Sequence, residues 1–516
     1  MAAWLVVWCF CMFILGALRY VYSLLGKPKI IEWKLKRQGI NGLPYKFLDG
    51  NGKEISKVVS ENGGSNSPLK LPHDIVPLID PFLQKQAISF KKIFVIWSGT
   101  MPRVTIMDPK IIREILSKSL EFHKPEVHWS MKYFLMGLAN IDGHKWVKHR
   151  KIINPAFHVE KLKQMMPAFK TCCEEMVEKW DKLMDNNGSL ELDVFPEFLD
   201  LTGDVISRAA FGSNLEDGRM IFTLQREQAK LFLHSLVASN LPWSRYLPTR
   251  VNRRMQQIHK EVAALLGSMI DDRERAIRSG GMENNDLLTV LLKSNHSEMQ
   301  GINGDQSKNG MSRDDIIEEC KLFYFAGHET TANLLAWTMV ALSMHQDWQE
   351  KARDEVIDAF GKSGKQTFDQ LNRLKIVNMI LLEVLRLYPP TSLVRWTYKE
   401  TKVGDLSLPA GVLVQMPLYM VHRDTELWGE DAIEFNPERF SNGVSKASKD
   451  QVSFFSFGWG PRICIGQNFA LIEAKLALSL ILQRFAFRLA PTYTHAPSIN
   501  LTLQPKFGAQ IVLQKV

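Results

Sequence analysis

The stretch Phe457-Gly458-Trp459-Gly460-Pro461-Arg462-Ile463-Cys464-Ile465-Gly466 sets three glycines around one cysteine, just before an apolar helical pattern that begins near Gln467. Gly458 and Gly460 permit backbone angles that a side chain forbids, and Gly466 permits close approach of a planar ligand. A cysteine at the mouth of a helix lies beside unpaired backbone N–H groups, which stabilise a thiolate, so the position predicts a lowered pKa for Cys464. Alone, the same cysteine could serve as a small buried hydrophobe. The six cysteines stand at 9, 11, 172, 173, 320 and 464, with neither zinc-ligand spacing nor the density of a disulfide framework. A reducing compartment follows for the body of the protein.

With its phenylalanine, glycines, arginine and cysteine in register, the segment resembles the Phe-x-x-Gly-x-Arg-x-Cys-x-Gly signature of cytochrome P450 monooxygenases. The resemblance implies haem b with Cys464 as its axial thiolate, a ligand that pushes electron density onto iron and favours O–O cleavage. It implies a loop shaped by Phe457, Gly458 and Gly466, and a haem propionate paired with Arg462.

Three further motifs fit that resemblance. The apolar helical pattern from Ile316 to Met344 contains Ala326-Gly327-His328-Glu329-Thr330-Thr331, where small residues and a hydroxyl able to compete for backbone carbonyls predict a local opening of the helix ladder into a groove. The open alternative is that Gly327 only permits a tight helix crossing. By resemblance Glu329 and Thr330 form the family's acid-alcohol pair, relaying protons to dioxygen at the haem. His328, between them, reads as a packing or solvent-side residue. Glu383 and Arg386 lie at i and i+3 on one helix face amid apolar neighbours, which predicts a buried pair in need of another partner. Arg439 completes the family's Glu-Arg-Arg network, which would brace the cysteine loop. Trp146 and Arg150, at i and i+4, resemble the family's Trp-x-x-x-Arg element that contacts propionates, although a solvated basic face has the same pattern. Lys145, Lys148 and Lys151 would add a cationic surface for an acidic reductase. Arg395 could reach a propionate or a substrate carboxylate.

The chain has 516 residues, a net charge of +9, 45% hydrophobic residues and 23% charged residues, so it can bury a large core. Its positive residues are spread along the sequence and accompany no nucleic-acid-binding motif, which excludes a nucleic-acid partner from the reading. Ala2 to Leu18 is uncharged and, with Val21 to Leu25 beyond it, long enough to span a bilayer. Basic residues follow the apolar run and none precedes it, which favours an uncleaved signal anchor and keeps the body cytosolic. We therefore expect a transmembrane anchor over 1–26, a basic linker and hinge over 27–50 with a turn at Gly42-Leu43-Pro44, and a catalytic domain over 51–516. In the resembled family the membrane is that of the endoplasmic reticulum.

Periodicity predicts long helices at Val159 to Met184, Val251 to Arg278, Arg313 to His345, Trp348 to Phe360 and Gln370 to Leu387. A hairpin should run from Lys92 to Met107 around Gly99-Thr100-Met101-Pro102, and Ser294 to Gly310 should be an exposed loop. These signals establish a mainly α fold with small β-sheets; the triangular cytochrome P450 architecture behind a single N-terminal transmembrane helix comes from the resemblance. Similarity to the plant clan that includes secologanin synthase and oxidases of triterpenoids and gibberellins runs from Lys36-Arg37-Gln38-Gly39 through Ile153-Asn154-Pro155-Ala156-Phe157 and Tyr388-Pro389-Pro390 to Trp428-Gly429-Glu430-Asp431. It implies O2 and a hydrophobic terpenoid as substrates, with NADPH electrons arriving through a cytochrome P450 reductase. By analogy the substrate would face segments 123–138, 231–243, the start of the Gly327 helix, 391–397 and 500–503, with Trp129, Phe134, Leu393 and Trp396 forming an apolar wall or, alternatively, packing the core. Two rival readings are a reductase-independent haem-thiolate isomerase or dehydratase, and a non-catalytic haem-binding membrane protein.

Overall fold

The computed structural model describes the chain apart from residues 1, 63–72, 126–127, 213–214, 239–246, 280–285, 300–309, 363, 365 and 450–451. Its contacts group into two compact units, both assembled from separated stretches of chain. Strands of the 393–416 stretch join the N-terminal hairpin in one sheet, which places that stretch in the first unit.

The first unit comprises Met1–Pro125, Ser392–Ile433 and Ser448–Ile463. It begins with an apolar helix, Ala2–Val21, that passes through a π-helical turn at Tyr22–Gly26 directly into Lys27–Lys36. The apolar part carries exposed Trp4, Leu5, Trp8, Phe10 and Phe13, a surface suited to lipid rather than water. Residues 27–50 pack within this unit. Ile31, Leu35 and Ile40 are buried, and Lys34 pairs with Glu400 at 2.9 Å. Gly42 bridges to Val95, where an added Cβ would lie 2.0 Å from the Val95 carbonyl oxygen. Only glycine allows that approach.

The main sheet of this unit has five strands in the order Ile93–Ser98, Met101–Ile106, Leu413–Met416, Leu393–Thr397 and Phe122–His123. All neighbours are antiparallel except the second and third, which run parallel. Phe94, Val95, Ile96 and Trp97 are all buried, as a strand covered on both faces requires. The hairpin turn is tighter than expected: Met101 and Pro102 already pair with Ser98 and Trp97, leaving Gly99, at φ 57°, and Thr100 to reverse the chain.

The second unit comprises Glu126–Thr391, Glu434–Ala447 and Cys464–Val516 and is mostly helical. Its longest helix, Arg313–Met344, starts with a reciprocal capping box between Ser312 and Asp315 and is apolar around most of its circumference, so it runs through the interior. The helices Val159–Leu183, Arg250–Arg278 and Gln346–Phe360 match their sequence patterns closely. The expected Gln370 to Leu387 helix is two, Phe368–Arg373 and Ile376–Leu387, because the Glu355 carboxylate accepts the backbone N–H groups of Lys375, Ile376 and Val377 and caps a new start. The expected loop after Ser294 is helical as far as Met299, and its residues 300–309 lie outside the described residues. A three-stranded sheet of Ser189–Asp193, Gln510–Lys515 and Phe485–Leu489 and a hairpin of Pro497–Asn500 with Thr502–Pro505 complete the unit.

Candidate active site

The loop preceding the cysteine belongs to the first unit. Gly458 and Gly460 both take positive φ, 77° and 69°, and a Cβ on Gly460 would lie 2.8 Å from the Leu116 carbonyl oxygen. Two residues after Gly460, Arg462 closes a 3-10 turn and is half-buried, as is Phe457.

Cys464 belongs to the second unit, ahead of the helix Gln467–Arg484. The Gly466 N–H donates to its sulfur and the Arg150 guanidinium adds a favourable field, but burial outweighs both and pushes the thiol up. The direction is opposite to the expected lowering: a helix N-terminus contributes about 1 kcal/mol, less than the surrounding protein costs a bare thiolate. Cys464 nevertheless retains open surface. A soft, accessible donor suits bonding to a metal cation, which removes the proton and supplies a counter-charge. Gly466 has φ −87°, an angle open to any residue, and a Cβ there would meet only Phe157 at 3.9 Å. Neither backbone conformation nor protein packing demands glycine at 466, and the space left beside Cys464 is open to a flat group. The residues present thus fit haem.

On the helix Arg313–Met344, Phe325, Ala326, Gly327, Glu329 and Thr330 keep accessible surface between long buried stretches. The helix is continuous, which corrects the expected opening of its ladder. Thr330 keeps its hydroxyl on the Ala326 carbonyl at 2.7 Å without breaking the turn. Gly327 marks a tight crossing, because a Cβ there would lie 2.4 Å from Cδ1 of Ile206. Glu329 accepts a short hydrogen bond from the Thr502 hydroxyl, and Asn333 donates to both the Glu329 carbonyl and Thr502. Burial holds the Glu329 carboxyl above its usual range against the opposing effects of Thr502 and Arg226. It can carry a proton where an exposed glutamate has lost one. His328 stacks on Phe222 at 4.6 Å, and burial drives its pKa to about 3, so it is a neutral packing residue.

Glu383, Arg386 and Arg439 come together. Arg386 clasps Glu383 through two hydrogen bonds of 2.7 Å, and Arg439 lies 3.5 Å from the same carboxylate. The pair is fully buried. Sequence reasoning missed two backbone partners, the Asn436 N–H on Glu383 at 2.8 Å and the Glu434 carbonyl under Arg386 at 3.0 Å. It also missed Glu319, which is fully buried and pairs with His149 Nδ1 at 2.6 Å while accepting the Leu138 N–H at 2.9 Å. No local spacing signals these contacts, whose partners are far away in sequence.

Trp146 is buried and Arg150 half-buried on the helix Gly143–Ile153; burial lowers the Arg150 pKa, while the nearby Cys464 opposes the shift. The expected cationic face is largely neutralised: Lys145 pairs with Asp315 at 2.6 Å, Lys151 with Glu298 at 2.8 Å, and Lys148 donates to the Gly310 carbonyl. In the first unit, Arg395 is buried on its strand and donates to the Val394 carbonyl at 2.8 Å, with Leu393 and Trp396 half-buried beside it. In the second unit, Trp129 is half-buried and edge-on to Tyr133. Phe134 is 2% exposed and packs edge-on against Phe325 and obliquely against Phe232, so it is core rather than an open wall. Of the expected substrate segments, 126–127 and 239–243 lie outside the described residues.

The cytochrome P450 family model matches residues 79–512. Cytochrome P450 72A15 of Arabidopsis thaliana is 49% identical over 492 residues, covering 95% of this chain and 94% of the relative. Secologanin synthase 1 of Catharanthus roseus is 47% identical, covering 95% and 93%. Among solved structures, retinoic acid bound cyanobacterial CYP120A1 superposes with a TM-score of 0.72 at 23% identity, covering 86% of this chain and 97% of its own, a likeness of fold. Near-complete alignment at about half identity leaves one conclusion: the chain belongs to the cytochrome P450 family of haem-thiolate monooxygenases and, within it, to the plant CYP72 clan.

Proposed function

We propose that the protein is a single-pass endoplasmic reticulum enzyme with its catalytic body in the cytosol, taking NADPH electrons from a cytochrome P450 reductase to hydroxylate or further oxidise a hydrophobic plant terpenoid. Membership in a clan with secologanin synthase 1 supports the substrate class. The observation that carries the chemistry is the exposed thiol of Cys464, with the Gly466 N–H on its sulfur and Arg150 nearby.

Bound haem supplies dioxygen activation, so that one oxygen atom enters the substrate C–H bond and the other leaves as water, at the cost of two electrons and two protons. Cys464 would hold the metal, with Phe457, Gly458 and Gly466 shaping its loop. Trp146, Arg150 and Arg462 would orient the propionates. Glu329, which accepts from the Thr502 hydroxyl, would hold a proton, and Thr330 would relay it once its hydroxyl turned from the Ala326 carbonyl. Trp129, Leu393 and Trp396 exclude water around the substrate. Arg395, already tied to its own strand, acts on the substrate side or on a propionate.

Reconstitution with reductase, NADPH and a terpenoid panel, read by mass spectrometry, tests the proposal. Product that forms only with peroxide and no reductase would instead support an isomerase, and bound haem without product across the panel would support a non-catalytic protein. The Glu329 and Thr330 pair favours the monooxygenase. Thr330→Ala is expected to lower product formed per NADPH consumed several-fold and to raise hydrogen peroxide. Unchanged coupling removes Thr330 from proton delivery.

The domain reading extends the proposal: residues 1–26 anchor the protein, 27–50 join the anchor to the body, and 51–516 carry the catalytic machinery. A chain beginning at Lys27 is expected to leave the membrane pellet in high-salt wash while keeping its helical circular dichroism. Retention in the pellet would mean that other surfaces hold it there.

A further inference from the structure

The cysteine loop has an anchor that the catalytic motifs do not contain. His422 follows the short helix Leu418–Val421 in the first unit and is fully buried. Its Nε2 accepts the backbone N–H of Phe455 at 3.0 Å. A ring nitrogen that accepts carries no proton, so the neutral imidazole holds its proton on Nδ1. The ring lies flat on Phe454, with centroids 5.5 Å apart at 9°, and edge-on to Trp428 at 6.0 Å and 75°. Trp428 is itself fixed by its indole N–H on the Val421 carbonyl at 3.1 Å.

Phe455 lies outside helix and strand, so its buried N–H has no ladder to join and depends on a side chain for its partner. The Phe455 carbonyl accepts the Gly458 N–H at 2.7 Å. The residue gripped by His422 therefore opens the turn in which Gly458 takes its positive φ. Two glycines in that conformation give the loop little stiffness of its own, and its path depends on fixed points. Gly460 against Leu116 is one such point, and the imidazole nitrogen is another.

We propose that His422 is a positioning residue for the haem ligand: by holding the Phe455 N–H it sets where the loop begins and how firmly Cys464, nine residues on, stays bonded to iron. The inference rests on Cys464 as the axial ligand. His422 touches neither substrate nor haem in this role; it acts through the loop.

Two substitutions in the full-length holoenzyme separate the hydrogen bond from packing. His422→Gln keeps an acceptor but loses the flat ring, and His422→Phe keeps the ring but loses the acceptor. The readouts are the balance of red-shifted and blue-shifted Soret bands in the reduced carbon monoxide complex, and amide hydrogen exchange across residues 453–463. A buried N–H without a partner is expected to raise the blue-shifted fraction about tenfold in His422→Phe and to speed exchange at Phe455 and Gly458. His422→Gln should stay within about twofold of the parent. The proposal is overturned if His422→Phe matches the parent, if His422→Gln fares no better than His422→Phe, or if both lose helical circular dichroism equally, since each result makes the ring a packing element. A parent protein with no red-shifted band sinks the ligand assignment instead, and the exchange data then still judge the anchor.

Discussion

Cys464→Ala is expected to abolish the strongly red-shifted Soret absorption of the dithionite-reduced carbon monoxide complex and all NADPH-driven product. A methyl group cannot bond iron, and no second thiol is placed to replace the first. Cys172, Cys173 and Cys320 are buried, with their thiols pushed up by desolvation, Cys172 to about 12. Cys9 and Cys11 lie on the N-terminal apolar helix. Thiolate electron donation is the feature that distinguishes this ligand from histidine, so residual haem binding without the red shift still agrees with the assignment. A red-shifted band that survives the substitution refutes it, and with it the proposed chemistry.

Glu383→Gln is expected to be the most damaging substitution away from the ligand. It leaves the guanidinium of Arg386 buried, 0% exposed, without its carboxylate, and it weakens the acceptor of the Asn436 N–H. Stranding a buried charge costs about 3–5 kcal/mol, a large share of the stability of any domain. The expected result is a lower haem-to-protein ratio and a lower unfolding temperature, measured by absorbance and calorimetry. If the network braces the cysteine loop, haem should be lost at temperatures where the helical circular dichroism persists. Haem and helix lost together would make the network a general stability element. Arg386→Lys should rescue only in part, because an ammonium cannot make the paired contact that the guanidinium fork makes with both carboxylate oxygens.

Sequence alone determined the features whose cause is local. Gly458 and Gly460 were legible because positive φ excludes side chains, the Glu383–Arg386 pair because i and i+3 share a helix face, and the long helices because the apolar period spans many turns. Tertiary structure alone decided whatever depends on a partner distant in sequence. Glu355 splits a predicted helix, Ile206 occupies the space beside Gly327, Thr502 donates to Glu329, and Asp315 and Glu298 quench the lysines of the Trp146 helix. The Cys464 thiol shows the same division within one residue: its place before a helix was readable, and the sign of its pKa shift was not. Desolvation reports the amount of protein surrounding an atom, and only the folded chain sets that amount.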